Sequence, residues 1–313
     1  MSTAIIFNGQ GAHYQDMGQD FVEKYPVAQK VYEQVEELTG YPIQTIIKNE
    51  IEKLEQTHYA QIAIVATSLA IFQSIEKDLP PIQLMAGLSL GEYTALIASE
   101  SLSFEEGFKI LKERGKLMAD HCQSLRETSD LAMEVVLAMP LDEIKKIMAE
   151  VNDPTEELYL ANLNSSQQVI LAGTTESIRR FKVLAKEKGY RKMMPLNVEG
   201  PFHSPYMEAV CHPYKKILDE ITFLEGTTPV ISNTTAELHT VEGIKEQLVR
   251  HLVEPVKWQE TIQMMMDAGV NRVIQIGPGK TLANLLKREK NTPKVLVIDQ
   301  VADIDKIKEF IGG

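Results

Sequence analysis

The sequence predicts an α/β protein: a parallel sheet flanked by helices and interrupted by a smaller subdomain of ferredoxin-like type. Three observations carry this reading. The first ~120 residues alternate short apolar strands with longer helices, the pattern of a parallel sheet. From about Leu131 to Val198 the order becomes strand, helix, strand, strand, helix, strand, which is the βαββαβ split unit. After that the first rhythm returns. A chain of 313 residues is long enough for about two domains or one domain with an insert. The expected organisation is a larger α/β domain formed by 1–127 and 199–313, with 128–198 inserted between its halves.

Each element follows from its pattern. Thr3–Phe7 is an apolar strand closed by the Gly9-Gln10-Gly11 turn, and Val27–Leu38 a helix with Val27, Val31, Val35 and Leu38 on one face. A second, apolar helix covers Ala60–Ile75 and stops before Pro80-Pro81. Ile82–Ala86 is a buried strand running into Gly87-Leu88-Ser89-Leu90-Gly91, followed by helices Leu90–Ala98 and Phe104–Ala119. In the insert the strands are Leu131–Ala138, Leu158–Leu163, Gln167–Ala172 and Arg191–Val198, and the helices Leu141–Val151 and Ser177–Lys188. The larger domain resumes near Pro201 with a strand at Pro229–Ser232 and helices Gly243–His251 and Trp258–Ala268. Strands Arg272–Ile276 and Lys294–Ile298 and a short helix complete it.

Composition bounds the function. The 32 Lys+Arg against 44 Asp+Glu give a net charge of −12, so no global attraction draws the chain to nucleic acid or an anionic membrane. Cys122 and Cys211 cannot build a disulfide framework and fit a reduced cytoplasmic protein. They also lack metal-ligand spacing and matching histidines, so no zinc site is expected. The apolar start is too short for a secretory signal, and no run of about 18 apolar residues is present to span a membrane. Met264-Met265-Met266 reads as core filling on an amphipathic helix.

Two nucleotide-like motifs fail on inspection. Gly9-Gln10-Gly11 after a strand would need a third glycine at 14 to be a dinucleotide fingerprint, and Tyr14 stands there. Gly279-Lys280-Thr281 would need a glycine at 274 to be a phosphate loop, and Ile274 stands there.

Gly87-Leu88-Ser89-Leu90-Gly91 is G-x-S-x-G between a strand and a helix. A serine on so tight a turn is held outward, and the glycines let neighbouring backbone approach. The helix behind it supplies unpaired N–H groups for an oxyanion. At ~7% usage per fixed residue, about 0.1 such matches arise by chance in a chain this long, so the motif carries weight. The serine needs a base. Of the seven histidines, His203 stands out, because Gly200-Pro201-Phe202-His203-Ser204-Pro205 follows the last strand of the insert, where the chain returns to the main sheet. His121 and His212 lie on helical stretches and read as structural or exposed.

Seven blocks together resemble the malonyl-CoA:acyl carrier protein transacylase family. They are Phe7–Gly11, Gly87–Tyr93, Arg114–Met118, Asn162–Ser165, Gly200–Ser204, Glu254–Trp258 and Ile276–Lys280, and they cover nearly the whole chain in the family's order. The resemblance implies an α/β-hydrolase-like domain with a ferredoxin-like insert. It implies Ser89 as nucleophile and His203 as general base. It implies an oxyanion hole from the backbone N–H groups of Gln10 and Leu90, and a main-chain carbonyl, nominally that of Lys257, orienting the base. Arg114 would clamp the free carboxylate of malonate, for which a guanidinium fork is suited. Phe202 would crowd a branched acyl group. No tightly bound cofactor is implied, and malonyl-CoA and an acyl carrier protein are the expected partners of a cytoplasmic monomer.

The sequence departs from the family at four places: Leu88 replaces the histidine before the nucleophile, Asn8 replaces a proline, Ala12 a serine, and His13 a glutamine. An acidic enzyme docking an acidic carrier needs a local basic surface. Lys188, Arg191 and Lys192 beside the insert are candidates, with Lys280, Lys287, Arg288 and Lys290 near the C-terminus. Two alternatives stay open on the residues: an acyl hydrolase that releases acyl groups from carrier proteins, which Arg114 argues against, and an inactive carrier-protein scaffold. The malonyl group would serve either fatty-acid or polyketide synthesis.

Overall fold

The computed structural model describes residues 2–152 and 157–312. Its larger domain is built on a four-stranded parallel sheet of order β2-β1-β7-β8, from β1 (Ser2–Phe7), β2 (Ile82–Gly87), β7 (Val270–Ile276) and β8 (Lys294–Ile298). All three pairings are parallel. Strands buried on both faces need continuous apolar sequence, and β1 supplies it: Ala4, Ile5, Ile6 and Phe7 are all inaccessible to solvent. The expected strand at Pro229–Ser232 is reduced to a short pairing beside β2, with Met85 and Val230 as parallel partners.

The helices pack around this sheet. They include α1 (Pro26–Thr39), α2 (Thr57–Ile75), α3 (Leu90–Ala98) and α4 (Phe104–Thr128). Helix α2 is apolar on every face and long enough to cross a bilayer, but it is the central core helix, inaccessible from Ala60 to Ser68. Helix α1 corrects the sequence reading by one residue. Its buried stripe is Ala28, Val31, Tyr32, Val35 and Thr39, while Leu38 is exposed. The Tyr32 hydroxyl is 2.7 Å from Thr67 Oγ1 on α2, and seating that ring turns the helix away from Leu38. Helix α4 runs nine residues past its expected end at Ala119.

The middle of the chain shows the expected order of strands and helices, with the last strand shorter than the expected Arg191–Val198. Strands β3 (Leu131–Leu137), β4 (Leu158–Ser165), β5 (Gln168–Thr174) and β6 (Met193–Leu196) form an antiparallel sheet of order β4-β5-β3-β6. Helices α5 (Leu141–Val151) and α6 (Thr175–Glu187) cover it around a separate core that includes Ile144, Ile147, Leu171 and Phe181. Its edge is stitched to the larger domain: Leu163 N–H donates to the Val256 carbonyl at 2.8 Å, and Val256 N–H to that of Ala161 at 2.9 Å. Beyond the insert come α7 (Glu208–Asp219), α8 (Ile244–Arg250), α9 (Trp258–Asp267) and α10 (Thr281–Leu286).

Candidate active site

Ser89 is the second of the two residues between β2 and α3, with φ 52° and ψ −108°. A non-glycine residue held there costs about 1–3 kcal/mol and persists only where its surroundings impose it. Here they do. A Cβ on Gly91 would lie 2.2 Å from the Phe7 carbonyl oxygen, and one on Gly87 would lie 2.0 Å from the Gly91 backbone. The end of β1 and the serine turn therefore meet backbone to backbone. Asn233 clamps the turn from the other side: its Nδ2 donates to the Gly87 carbonyl at 2.7 Å, and its Oδ1 accepts the Ser89 N–H at 2.6 Å.

His203 lies 114 residues away in sequence, also at positive φ (57°), with Nε2 at 2.7 Å from Ser89 Oγ. Its Nδ1 is 2.7 Å from the main-chain carbonyl of His251. A carbonyl accepts only, so Nδ1 carries the hydrogen and the Nε2 lone pair faces the serine. Burial lowers the His203 pKa to about 4; the bond to His251 opposes that shift, and the charge of Arg114 adds to it. The imidazole is thus neutral near neutral pH and free to accept a proton.

This corrects the expectation that Lys257 supplies the orienting carbonyl. Lys257 caps the start of α9, and its carbonyl is taken by the N–H and hydroxyl of Thr261 at 2.9 and 3.0 Å. His251 instead ends α8, where the last carbonyls of a helix have no partner within it.

Leu90 begins α3, and the first N–H groups of a helix likewise lack a carbonyl within it. The Gln10 loop lies against this turn, since a Cβ on Gly9 would sit 2.3 Å from the Leu88 carbonyl oxygen. The Gln10 side chain points elsewhere, its Nε2 donating to Thr57 Oγ1 at 3.0 Å, which fixes the loop and leaves its backbone for the site. Asn8, one of the departures, braces the loop from behind: Nδ2 donates to the Pro278 carbonyl at 2.7 Å and Oδ1 accepts from Leu282 N–H at 3.2 Å. Leu88, another departure, packs on the apolar cluster of Ile6 and Ala86. His13 is half-buried, and burial lowers its pKa.

Arg114 projects from α4 and is 2% exposed. Its Nη1 donates to Gln61 Oε1 at 2.8 Å, and the guanidinium lies over the Tyr93 ring, 5.1 Å from the centroid. Its Nε–H has no partner and no carboxylate pairs with it among the described residues. A buried cation without a counter-ion is costly, which an anion beside it would relieve. Phe202, next to His203, is 7% exposed and packed in the main core.

Lys188 pairs with Glu150 at 3.2 Å, Lys280 caps α10, and Arg191, Lys192, Lys287, Arg288 and Lys290 are exposed. Sequence reasoning missed Asn233, His251 and Glu92. Asn233 could have been found from its place just past Pro229–Ser232, at the carboxyl end of a strand, where α/β sheets gather their ligands. Glu92 stands out as an acid in the apolar run Leu90–Ala98 and is wholly buried.

The acyl transferase domain model matches residues 4–304. The chain belongs to the acyl transferase family. This acyl transferase is 32% identical over 304 residues to the malonyl CoA-acyl carrier protein transacylase of Bacillus subtilis, covering 96% of this chain and 95% of that one. It is 31% identical to the protein of the same name from Haemophilus influenzae, covering 98% of each. Its fold matches that of the Streptococcus pneumoniae enzyme MCAT with a TM-score of 0.92, at 33% identity, over 98% of this chain and 99% of the other. It also matches a malonyl-transacylase solved in complex with its type II polyketide acyl carrier protein, with a TM-score of 0.92 at 30% identity over 99% of each chain. The two-part α/β architecture with its small antiparallel sheet is therefore that of solved malonyl transacylases.

Proposed function

We propose that this acyl transferase moves malonyl groups from malonyl-CoA to the phosphopantetheine thiol of an acyl carrier protein through a malonyl-serine ester. The observation that carries the reading is the serine–histidine–carbonyl relay beside a buried arginine that no acid neutralises among the described residues. His203 Nε2 takes the proton of Ser89 as its Oγ adds to the thioester carbonyl. The N–H groups of Gln10 and Leu90 receive the negative oxygen. Collapse breaks the carbon–sulfur bond, and coenzyme A leaves with the proton from His203. In the second half the carrier thiol gives its proton to His203 and attacks the ester, and Ser89 recovers a proton as it departs. Arg114 holds the distal carboxylate throughout, and Phe202 limits branching beside it. The chemistry is complete with these side chains and the two thiols. A monomer acting in the cytoplasm, for fatty-acid or polyketide synthesis, belongs to the same reading.

Intact mass spectrometry with malonyl-CoA or acetyl-CoA, with and without holo carrier protein, tests it. A malonyl adduct on Ser89 that passes to the carrier is the expected result. An adduct lost only to water would make the chain a hydrolase, and no adduct would leave a scaffold.

A further inference from the structure

Behind the relay lies a second buried group that the mechanism does not use. The side chain of Glu92, three residues after the nucleophile, is 1% exposed, and two histidine side chains, 3% and 1% exposed, lie against it. His239 Nε2 is 2.6 Å from Glu92 Oε1, the short end of a charge-assisted hydrogen bond. The same oxygen accepts the Asn233 N–H at 3.3 Å. Oε2 faces His251 Nδ1 at 3.3 Å, without the alignment of a hydrogen bond, and has no other partner among the described residues. No three acidic, histidine or cysteine side chains among the described residues could hold a metal ion.

The connectivity gives this cluster its meaning. Asn233 is the residue whose amide grips Gly87 and Ser89. His251 is the residue whose carbonyl fixes His203. One carboxylate thus touches the segment that holds the nucleophile and the residue that orients the base. We propose that Glu92, with His239, is a positioning residue that locks the Ser89 turn and the His251 carbonyl into one register, so that Ser89 Oγ and His203 Nε2 stay within bonding distance. The proposal rests on Ser89 and His203 being the reacting pair. It makes a buried carboxylate part of a relay whose third member is only a peptide carbonyl.

The test uses full-length Glu92→Gln, which keeps the size and removes the charge. Reactivity is read by labelling Ser89 with a fluorophosphonate: the Oγ–P bond forms, the P–F bond breaks, fluoride leaves, and the serine proton passes to His203. Orientation of the base is read from the proton resonance of His203 Nδ1–H, assigned by its loss in His203→Ala. The expected result is labelling slowed by about tenfold or more, a displaced resonance, and a melting temperature near that of the parent. Exposed His212→Gln serves as control. Should Glu92→Gln fail to fold, His239→Gln removes the same link from its outer end and is read in the same way. A folded variant that labels within about twofold of the parent and leaves the resonance in place overturns the proposal. Labelling needs no thioester, so a parent protein that labels but accepts no malonyl group would defeat the proposed activity while leaving Glu92 tested.

Discussion

Among the described residues, Arg114 is met by the Gln61 amide oxygen and the face of Tyr93 and makes no ion pair with a carboxylate. Its replacement by alanine removes a buried cation from the candidate site. We expect kcat/KM for malonyl-CoA to fall about a hundredfold, ~3 kcal/mol, while acetyl-CoA loses nothing. Arg114→Lys should not restore malonyl transfer, because an ammonium lacks the planar fork. Equal losses with both thioesters would argue that Arg114 only holds the fold. On the proposed reading, His203 sets the pH dependence of acylation. Burial drops its pKa to about 4, and the base works only when unprotonated. The acylation rate should therefore be level from neutral pH down to about 5.5 and fall as pH passes through about 4. A stopped-flow profile bending near the ordinary histidine value, about 6.5, would contradict the buried relay.

The Ser89 turn depends on two elements meeting without side chains between them, the end of β1 and the start of α3. Gly91→Ala would place a methyl 2.2 Å from the Phe7 carbonyl oxygen, inside a core with no slack. The variant should lose about 1–3 kcal/mol in urea unfolding and react poorly with malonyl-CoA, because the end of β1 and the start of α3 must part to admit it. Unchanged stability would mean that the approach is looser than the geometry implies. This contact also marks how far the sequence could be read. The pentapeptide and the strand before it placed Ser89 from local pattern alone, since glycine spacing and apolar runs are local properties. His203 needed the resemblance, because its partner is 114 residues away. The orienting carbonyl was misplaced at Lys257, since any backbone can supply one and only the helix boundaries decide which is free. The one-residue turn of α1 was hidden for a similar reason: Thr67, which seats Tyr32, belongs to another helix.

At the scale of the whole molecule, an excess of negative charge has to receive a partner that, on the proposed reading, is itself acidic. Reversing Arg191 and Lys192, or Lys287 and Arg288, to glutamate should slow transfer to carrier protein severalfold and leave self-acylation by malonyl-CoA intact. Equal loss of both half-reactions would remove these residues from docking. Lys188 is a weaker choice, because Glu150 already pairs with it. Burial also makes the fold acid-sensitive through its histidines. His13, His58, His203 and His251 all have pKa values lowered by burial. The unfolded chain binds their protons at about pH 6.5, whereas the native protein refuses them until lower pH, so stability rises with pH across that window. It is fully present above about 6.5 and lost as pH falls toward 4. For His203 alone, a drop from 6.5 to about 4 corresponds to roughly 3 kcal/mol. The melting temperature should therefore fall by several degrees between pH 7 and pH 4.5, and His203→Asn, which cannot titrate, should flatten part of that slope. A profile equally steep in the variant would place the acid sensitivity in other groups and leave His203 no share of it.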